Sequence, residues 1–162
     1  MIRRALIAAV LVFPFALMAQ TTGDPFSVNL PVGFSPFTKS SQVMDSKGGK
    51  ITTTNWVAKS PDGQAVIVAV SKMPGKILDP AKLVNSTRDG LVKSLHATMD
   101  GEETTTDTPP ATRLLLHSDA AWVRARLVVV GDTLYQLVYV GHSADQRVAP
   151  AVAQMFDTFK TL

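Results

Sequence analysis

Two dense apolar runs, Trp122–Val130 and Thr133–Val140, flank the dipeptide Gly131-Asp132, and no other stretch restricts the possible folds as much. A two-residue connection with glycine first suits a type II′ turn, whose twist matches that of paired antiparallel strands, so Ala121–His142 reads as a β-hairpin. Val130 then faces Thr133, and every pair outward is fixed. One face carries Ala121, Val123, Ala125, Leu127 and Val129 against Leu134, Gln136, Val138 and Val140, and is expected to be core. The other carries Trp122, Arg124, Arg126 and Val128 against Tyr135, Leu137 and Tyr139, which sets Arg124 across from Tyr139 and Arg126 across from Leu137. This second face is aromatic and cationic.

The remaining pattern supplies layers for that sheet. Phe26, Val28 and Leu30 alternate with Ser27 and Asn29, giving a first strand over Pro25–Leu30 that two prolines and Gly33 then stop. Ser40–Lys50 is polar, ends in Gly48-Gly49 and reads as a loop. Ile51–Lys59 and Ala65–Lys72 form a second hairpin around Pro61-Asp62-Gly63, and the run AVIVAV is apolar on both faces, as a central strand requires. Asp79-Pro80 is an N-cap followed by the proline that a first helical turn tolerates. Leu83, Thr87, Leu91 and Leu95, with Val84 and Val92 beside them, make an amphipathic helix of about 16 residues. Met99–Thr108 is expected to be a polar edge strand, and Thr112–His117 another strand turned by Ser118-Asp119. Val148, Val152, Phe156 and Phe159, with Met155, form the stripe of a final helix with Pro150 in its first turn. The order is α+β: an antiparallel sheet with helices packed on it.

At the N-terminus, Arg3 and Arg4 precede the apolar run Ala5–Met18, the pattern of a secretory signal peptide over residues 1–19. Cleavage is expected after Ala19, leaving a polar leader over 20–24 and one domain over 25–162. The apolar run has 14 residues, fewer than the roughly 20 a membrane span needs, so no stable span is expected after cleavage. Of 16 Lys and Arg, two belong to this segment; without them 14 face 13 Asp and Glu, a net charge of +1. That balance gives nucleic-acid binding no support, because neutralising phosphates takes a clustered basic excess. With no cysteine there is neither a disulfide nor a lipid-bearing residue, so stability must come from packing, and a bacterial periplasm or exterior fits.

The segment Phe26–Phe34 (FSVNLPVGF), the hairpin residues Gly131, Asp132, Tyr135 and Leu137, and the closing Phe156-Asp157-Thr158-Phe159 are similar to the PsbP-like family of the Mog/PsbP superfamily. The resemblance covers roughly 25–162. It implies a twisted antiparallel sheet flanked by helices in an α/β/α sandwich, and a family that mostly binds partners rather than turning over substrates. Its members include extrinsic photosystem subunits of the thylakoid lumen, binders of a small GTPase, and periplasmic or envelope proteins of bacteria. The leader lacks the Ser- and Arg-rich character of a transit peptide, and export argues against a GTPase partner. An exported bacterial member is therefore what the resemblance implies.

Candidate chemistry is sparse. His117 and His142 sit at strand ends with Asp119 and Asp132 in turns, the donor types of a zinc site or a metal-dependent hydrolase; the simpler reading is solvated loop histidines. Ser94 near His96 has the wrong helical spacing for a nucleophile and base, and no Gly-x-Ser-x-Gly elbow exists. Gly48-Gly49-Lys50 lacks the spacing of a phosphate loop. Asp100, Glu102, Glu103 and Asp107 suit a charged guard on a sheet edge better than a calcium site. What remains is the second face of the hairpin: Trp122, Arg124, Arg126, Tyr135 and Tyr139 are the residue types recognition surfaces favour. Against that stands the final helix, which can cover this face and leave the arginine stems to reach past its edge, with Arg124 resting on Tyr139. The sequence thus leads to a non-catalytic exported binding or accessory module, with no cofactor, holding a protein partner or a small apolar ligand in the envelope. A hydrolase or metal enzyme centred on His117 and His142 is the alternative.

Overall fold

The computed structural model describes residues 23–162; the expected signal peptide lies outside the described residues. Seven strands form one antiparallel sheet: β2 (Thr38–Ser46), β3 (Gly49–Lys59), β4 (Ala65–Lys72), β5 (Thr98–Thr104), β6 (Ala111–His117), β7 (Trp122–Val130) and β8 (Thr133–Gly141). Their order across the sheet is β2-β3-β4-β8-β7-β6-β5. The β7–β8 hairpin lies near the middle, paired as expected: Val130 with Thr133, Arg126 with Leu137, Arg124 with Tyr139. Gly131 takes φ +61°, the left-handed first position that a II′ turn demands. β4 is a central strand, between β3 and β8.

Each face of the sheet has its own apolar cluster. On one, Leu114, Leu116, Val123, Ala125, Leu127 and Val138 pack with Val84, Leu91, Val92 and Leu95 of helix α1 (Pro80–Leu95). Asp79 caps this helix, its carboxylate accepting from the Lys82 N–H at 2.9 Å, and Pro80 follows at the first turn. His96 ends it in the left-handed conformation, its backbone N–H donating to the Lys93 carbonyl. On the other face, Trp56, Val66, Val68, Tyr135, Leu137 and Tyr139 pack with Val152, Met155 and Phe156 of helix α3 (Pro150–Thr158), and with Phe159 just beyond it. Burying side chains of this size stabilises by about 1.5–3 kcal/mol each, so the second face is core, and no less so than the first.

Four expectations are corrected. Ser40–Lys50 is no loop: β2 occupies most of it, with all nine residues exposed. A strand with no buried face has no apolar alternation to reveal it. The first strand shrinks to β1 (Phe26–Ser27), which joins the short β9 (Lys160–Thr161) in a ribbon apart from the main sheet. The final helix is broken into α2 (Ala144–Val148) and α3, because Pro150, which does begin α3, has no N–H with which to continue α2. Val148 falls on α2 and is exposed, off the buried stripe. Arg124 lies not on Tyr139 but over the ring of Phe156, 4.8 Å from its centroid, because α3 brings that ring onto the sheet.

Candidate binding surface

The five residues of the aromatic and cationic face divide into three groups. Tyr135 and Tyr139 are 5% and 0% exposed and belong to the core under α3. Burial, seconded by Asp132 and Asp62 respectively, pushes both phenols above their ordinary range, and the Tyr139 hydroxyl donates to Gln64 Oε1. Neither tyrosine reaches a partner from outside; their contribution is to hold the sheet under the helix.

Trp122 stands at the end of β7 in a stack of its own. His117 lies nearly parallel to it with centroids 4.8 Å apart, and the Arg147 guanidinium lies 4.8 Å from the Trp122 ring. Arg147, buried on α2, donates to the Leu116 carbonyl at 2.9 Å and to Asp100 on β5. Asp100 also meets His117 Nδ1 at 2.7 Å. The Arg147 hydrogen bond, with a smaller contribution from His117, holds the Asp100 carboxyl below its usual range against the opposing effect of burial. A buried guanidinium needs such a partner. This quartet ties α2 to the β5–β6 end of the sheet.

The histidines expected together are dispersed. His117 is engaged with Asp100, whereas the His142 ring reaches the Asp62 carbonyl at 3.1 Å. Asp132 sits in the turn at the opposite end of β7 and β8 from His142, near Lys72 at 3.9 Å. Among the described residues no three His, Cys, Asp or Glu side chains gather closely enough to hold a metal.

Arg124 and Arg126 form the third group, joined by an arginine that sequence reasoning passed over. Arg113 on β6 is paired across the ladder with Arg126, a juxtaposition of like charges that costs stability unless something offsets it. Two exposed carboxylates do so loosely: Asp157 lies 4.0 Å from Arg113 and Asp107 lies 3.9 Å from Arg126. Arg126 also donates to the Phe156 carbonyl at 2.9 Å. Burial and the charge of Arg113 push the Arg126 guanidinium down from its ordinary range; for Arg124 burial leads, and Asp157 opposes it. All three remain cationic, since an arginine does not deprotonate in a protein.

Arg124 differs from its neighbours. Its guanidinium has the Phe156 ring on one side and, among the described residues, no ion pair and no hydrogen bond. It lines a groove of about 350 Å³ together with Arg113, Glu103, Leu115 and Val148. That groove is the part of the face α3 leaves open. Arg113 lies on the strand that the sequence pattern places at Thr112–His117; its meeting with Arg126 depends on the β6–β7 register, which the four-residue connection Ser118–Ala121 does not dictate.

No family model matches the chain, and no curated protein matches it. Among solved structures, it is similar to the solution structure of cyanobacterial PsbP (CyanoP) from Synechocystis sp. PCC 6803, with a TM-score of 0.57 over 88% of this chain and 89% of that one. The chain has a PsbP-like fold. The sequence identity between the two is 13%, so the likeness extends to the fold and stops there.

Proposed function

We propose that the chain is an exported, non-catalytic binding or accessory module of the bacterial envelope, built as an α/β/α sandwich, which holds a protein partner through the open part of the sheet face. The observation that carries this reading is Arg124: a guanidinium braced against Phe156 on the wall of a groove, with no carboxylate at ion-pair distance among the described residues. Its cost of immobilisation is already met by the fold, so a carboxylate arriving from outside gains a charge-assisted pair with little further ordering. Leu115 and Val148 add apolar area beside it, and Glu103 offers a site for a donor. The groove therefore suits an extended segment that alternates apolar and acidic side chains. The envelope location rests on Arg3, Arg4 and the apolar run Ala5–Met18.

A small apolar ligand has a separate basis, a cavity of about 410 Å³ between α1 and the sheet lined by Leu78, Val84, Pro110 and Val129. The protein partner is preferred because both carboxylates lining the cavity are engaged: Asp79 caps α1, and Glu102 accepts from Arg88 at 3.0 Å. A photo-crosslinker at Leu115, with and without Arg124→Met, tests the reading in an envelope extract. A crosslinked species that the Met variant loses while its melting is unchanged supports it; the same crosslink in both proteins removes Arg124 from recognition.

A further inference from the structure

The two edges of the main sheet are treated differently. At one edge, β5 carries Asp100, Glu102 and Glu103 and a register shift between Met99 and Gly101, devices that discourage another strand from pairing. At the other edge, β2 runs nine residues without a proline or a bulge, exposed along its whole length, with Val43 and Met44 among the exposed apolar side chains. An edge of that length offers a long row of backbone donors and acceptors, and its two charges, Lys39 and Asp45, are of opposite sign rather than all acidic as on β5.

The register shows which groups those are. β2 and β3 are joined by the two-residue turn Lys47-Gly48, so Ser46 and Gly49 exchange hydrogen bonds, and so does every second pair after them. Thr38, Ser40, Gln42 and Met44 consequently direct their backbone groups toward β3. Lys39, Ser41, Val43 and Asp45 direct theirs outward. The β3–β4 ladder agrees, since Ser60 bonds Gln64 beyond its end and places the even residues of β3 toward β4.

We infer that β2 is a self-pairing edge, through which two copies of this chain join antiparallel about a two-fold axis at Gln42. In that register Lys39 faces Asp45 of the second copy, twice by symmetry, and Ser41 faces Val43, so all four outward residues meet outward residues. Thr38 faces Ser46 and Ser40 faces Met44. Asp45 has no ion pair within its own chain among the described residues. Lys39 lies on the same side of the sheet as Trp56, 4.9 Å from its ring, and pairs with Asp24 of its own chain at 3.4 Å; with 56% of its side chain exposed, its ammonium still has donors open to a second carboxylate. Shifting the strands by two residues in either direction breaks both Lys39–Asp45 pairs, and shifting by one turns the outward groups away from each other. Charge, backbone direction and symmetry thus select one register. The result is a continuous sheet with seven strands from each copy. It forms weakly, because one strand edge buries less area than a stable dimer needs.

Sedimentation velocity of the purified protein across a concentration series should show a reversible monomer–dimer equilibrium. Asp45→Lys should weaken it about tenfold or more, and Lys39→Asp/Asp45→Lys should restore it. Val43→Pro removes an outward N–H while leaving the β2–β3 bonds in place, and should abolish it. Because the chain has no cysteine, Gln42→Cys introduces a single thiol, which in this register opposes its copy at about 4.5 Å between Cα atoms and should form an intermolecular disulfide far faster than Lys47→Cys. A protein that stays monomeric throughout overturns the inference, whether or not the edge then accepts an extended peptide. A dimer indifferent to Asp45→Lys, or equal oxidation of the two cysteine variants, overturns the register.

Discussion

Replacing Phe156 with alanine tests whether α3 seals the sheet face as described. Phe156 is 1% exposed, and three functions meet in it: its ring fills the core against the sheet, the same ring braces Arg124 at 4.8 Å, and its carbonyl accepts from Arg126 at 2.9 Å. Truncation keeps the carbonyl but removes the ring, leaving a cavity that the rigid sheet cannot collapse into. A buried Phe→Ala change costs about 3–5 kcal/mol, and the lost cation and ring contact adds about 0.5–1 kcal/mol at this partly exposed guanidinium. Against a total stability of about 5–15 kcal/mol for a domain of ordinary size, that is a large fraction. In urea, with a slope of about 2 kcal/mol per molar, the midpoint should fall by roughly 2 M. Phe156→Leu keeps most of the volume and should cost about 1–1.5 kcal/mol. A cycle between Phe156→Leu and Arg124→Met should show a coupling of about 0.5–1 kcal/mol. A loss below about 1 kcal/mol for Phe156→Ala, with an unchanged slope, would refute the packing of α3 on this face.

Three further outcomes follow from single residues. Asp79→Ala removes the carboxylate that accepts from Lys82 and should lower stability by about 1 kcal/mol, read from the urea midpoint, whereas Asp79→Ser should lose only a few tenths. Gly131→Ala puts a side chain at φ +61° and should cost about 1–2 kcal/mol in the same assay. Because Arg147 and His117 lower the Asp100 carboxyl in the folded state, its contribution is fully present above the unfolded value of about 4 and is lost as pH falls through the lowered folded value. Wild-type melting should therefore decline more steeply below about pH 4 than that of Asp100→Asn, and parallel profiles would show that Asp100 carries no such linkage.

The parts of the fold legible in the sequence were those where the chain itself enforces geometry. Gly131-Asp132 sets the turn, and the turn sets every pair in β7 and β8, down to Arg124 across from Tyr139. Asp79-Pro80 starts α1, and its apolar spacing carries the helix to Leu95. What escaped was structure that leaves no apolar trace. β2 is exposed on both sides, so TKSSQVMDS has nothing to alternate, and its role as an edge emerges only from pairing with β3. The candidate surface was half visible for a related reason. Alternation separates the two faces of the hairpin, but not the layer that lies above each. The tyrosines and the arginines share a face, yet α3 covers the former and leaves Arg124 at its margin. Arg113 meets Arg126 only through the β6–β7 register, and Arg147 and Asp100 meet beside Trp122 only once α2 is placed against the β5–β7 end of the sheet.

The account turns on Arg124 as a guanidinium braced for an incoming carboxylate. The most direct measurement is the ¹⁵N-resolved signal of the Arg124 Nε–H during titration with a short peptide alternating leucine and glutamate, and with its glutamine counterpart. A saturating shift of Arg124 with the glutamate peptide, smaller for Arg126, which already donates to the Phe156 carbonyl, and absent for the glutamine peptide, is the result predicted. An Arg124 signal that stays still, or that moves equally with both peptides, would contradict it.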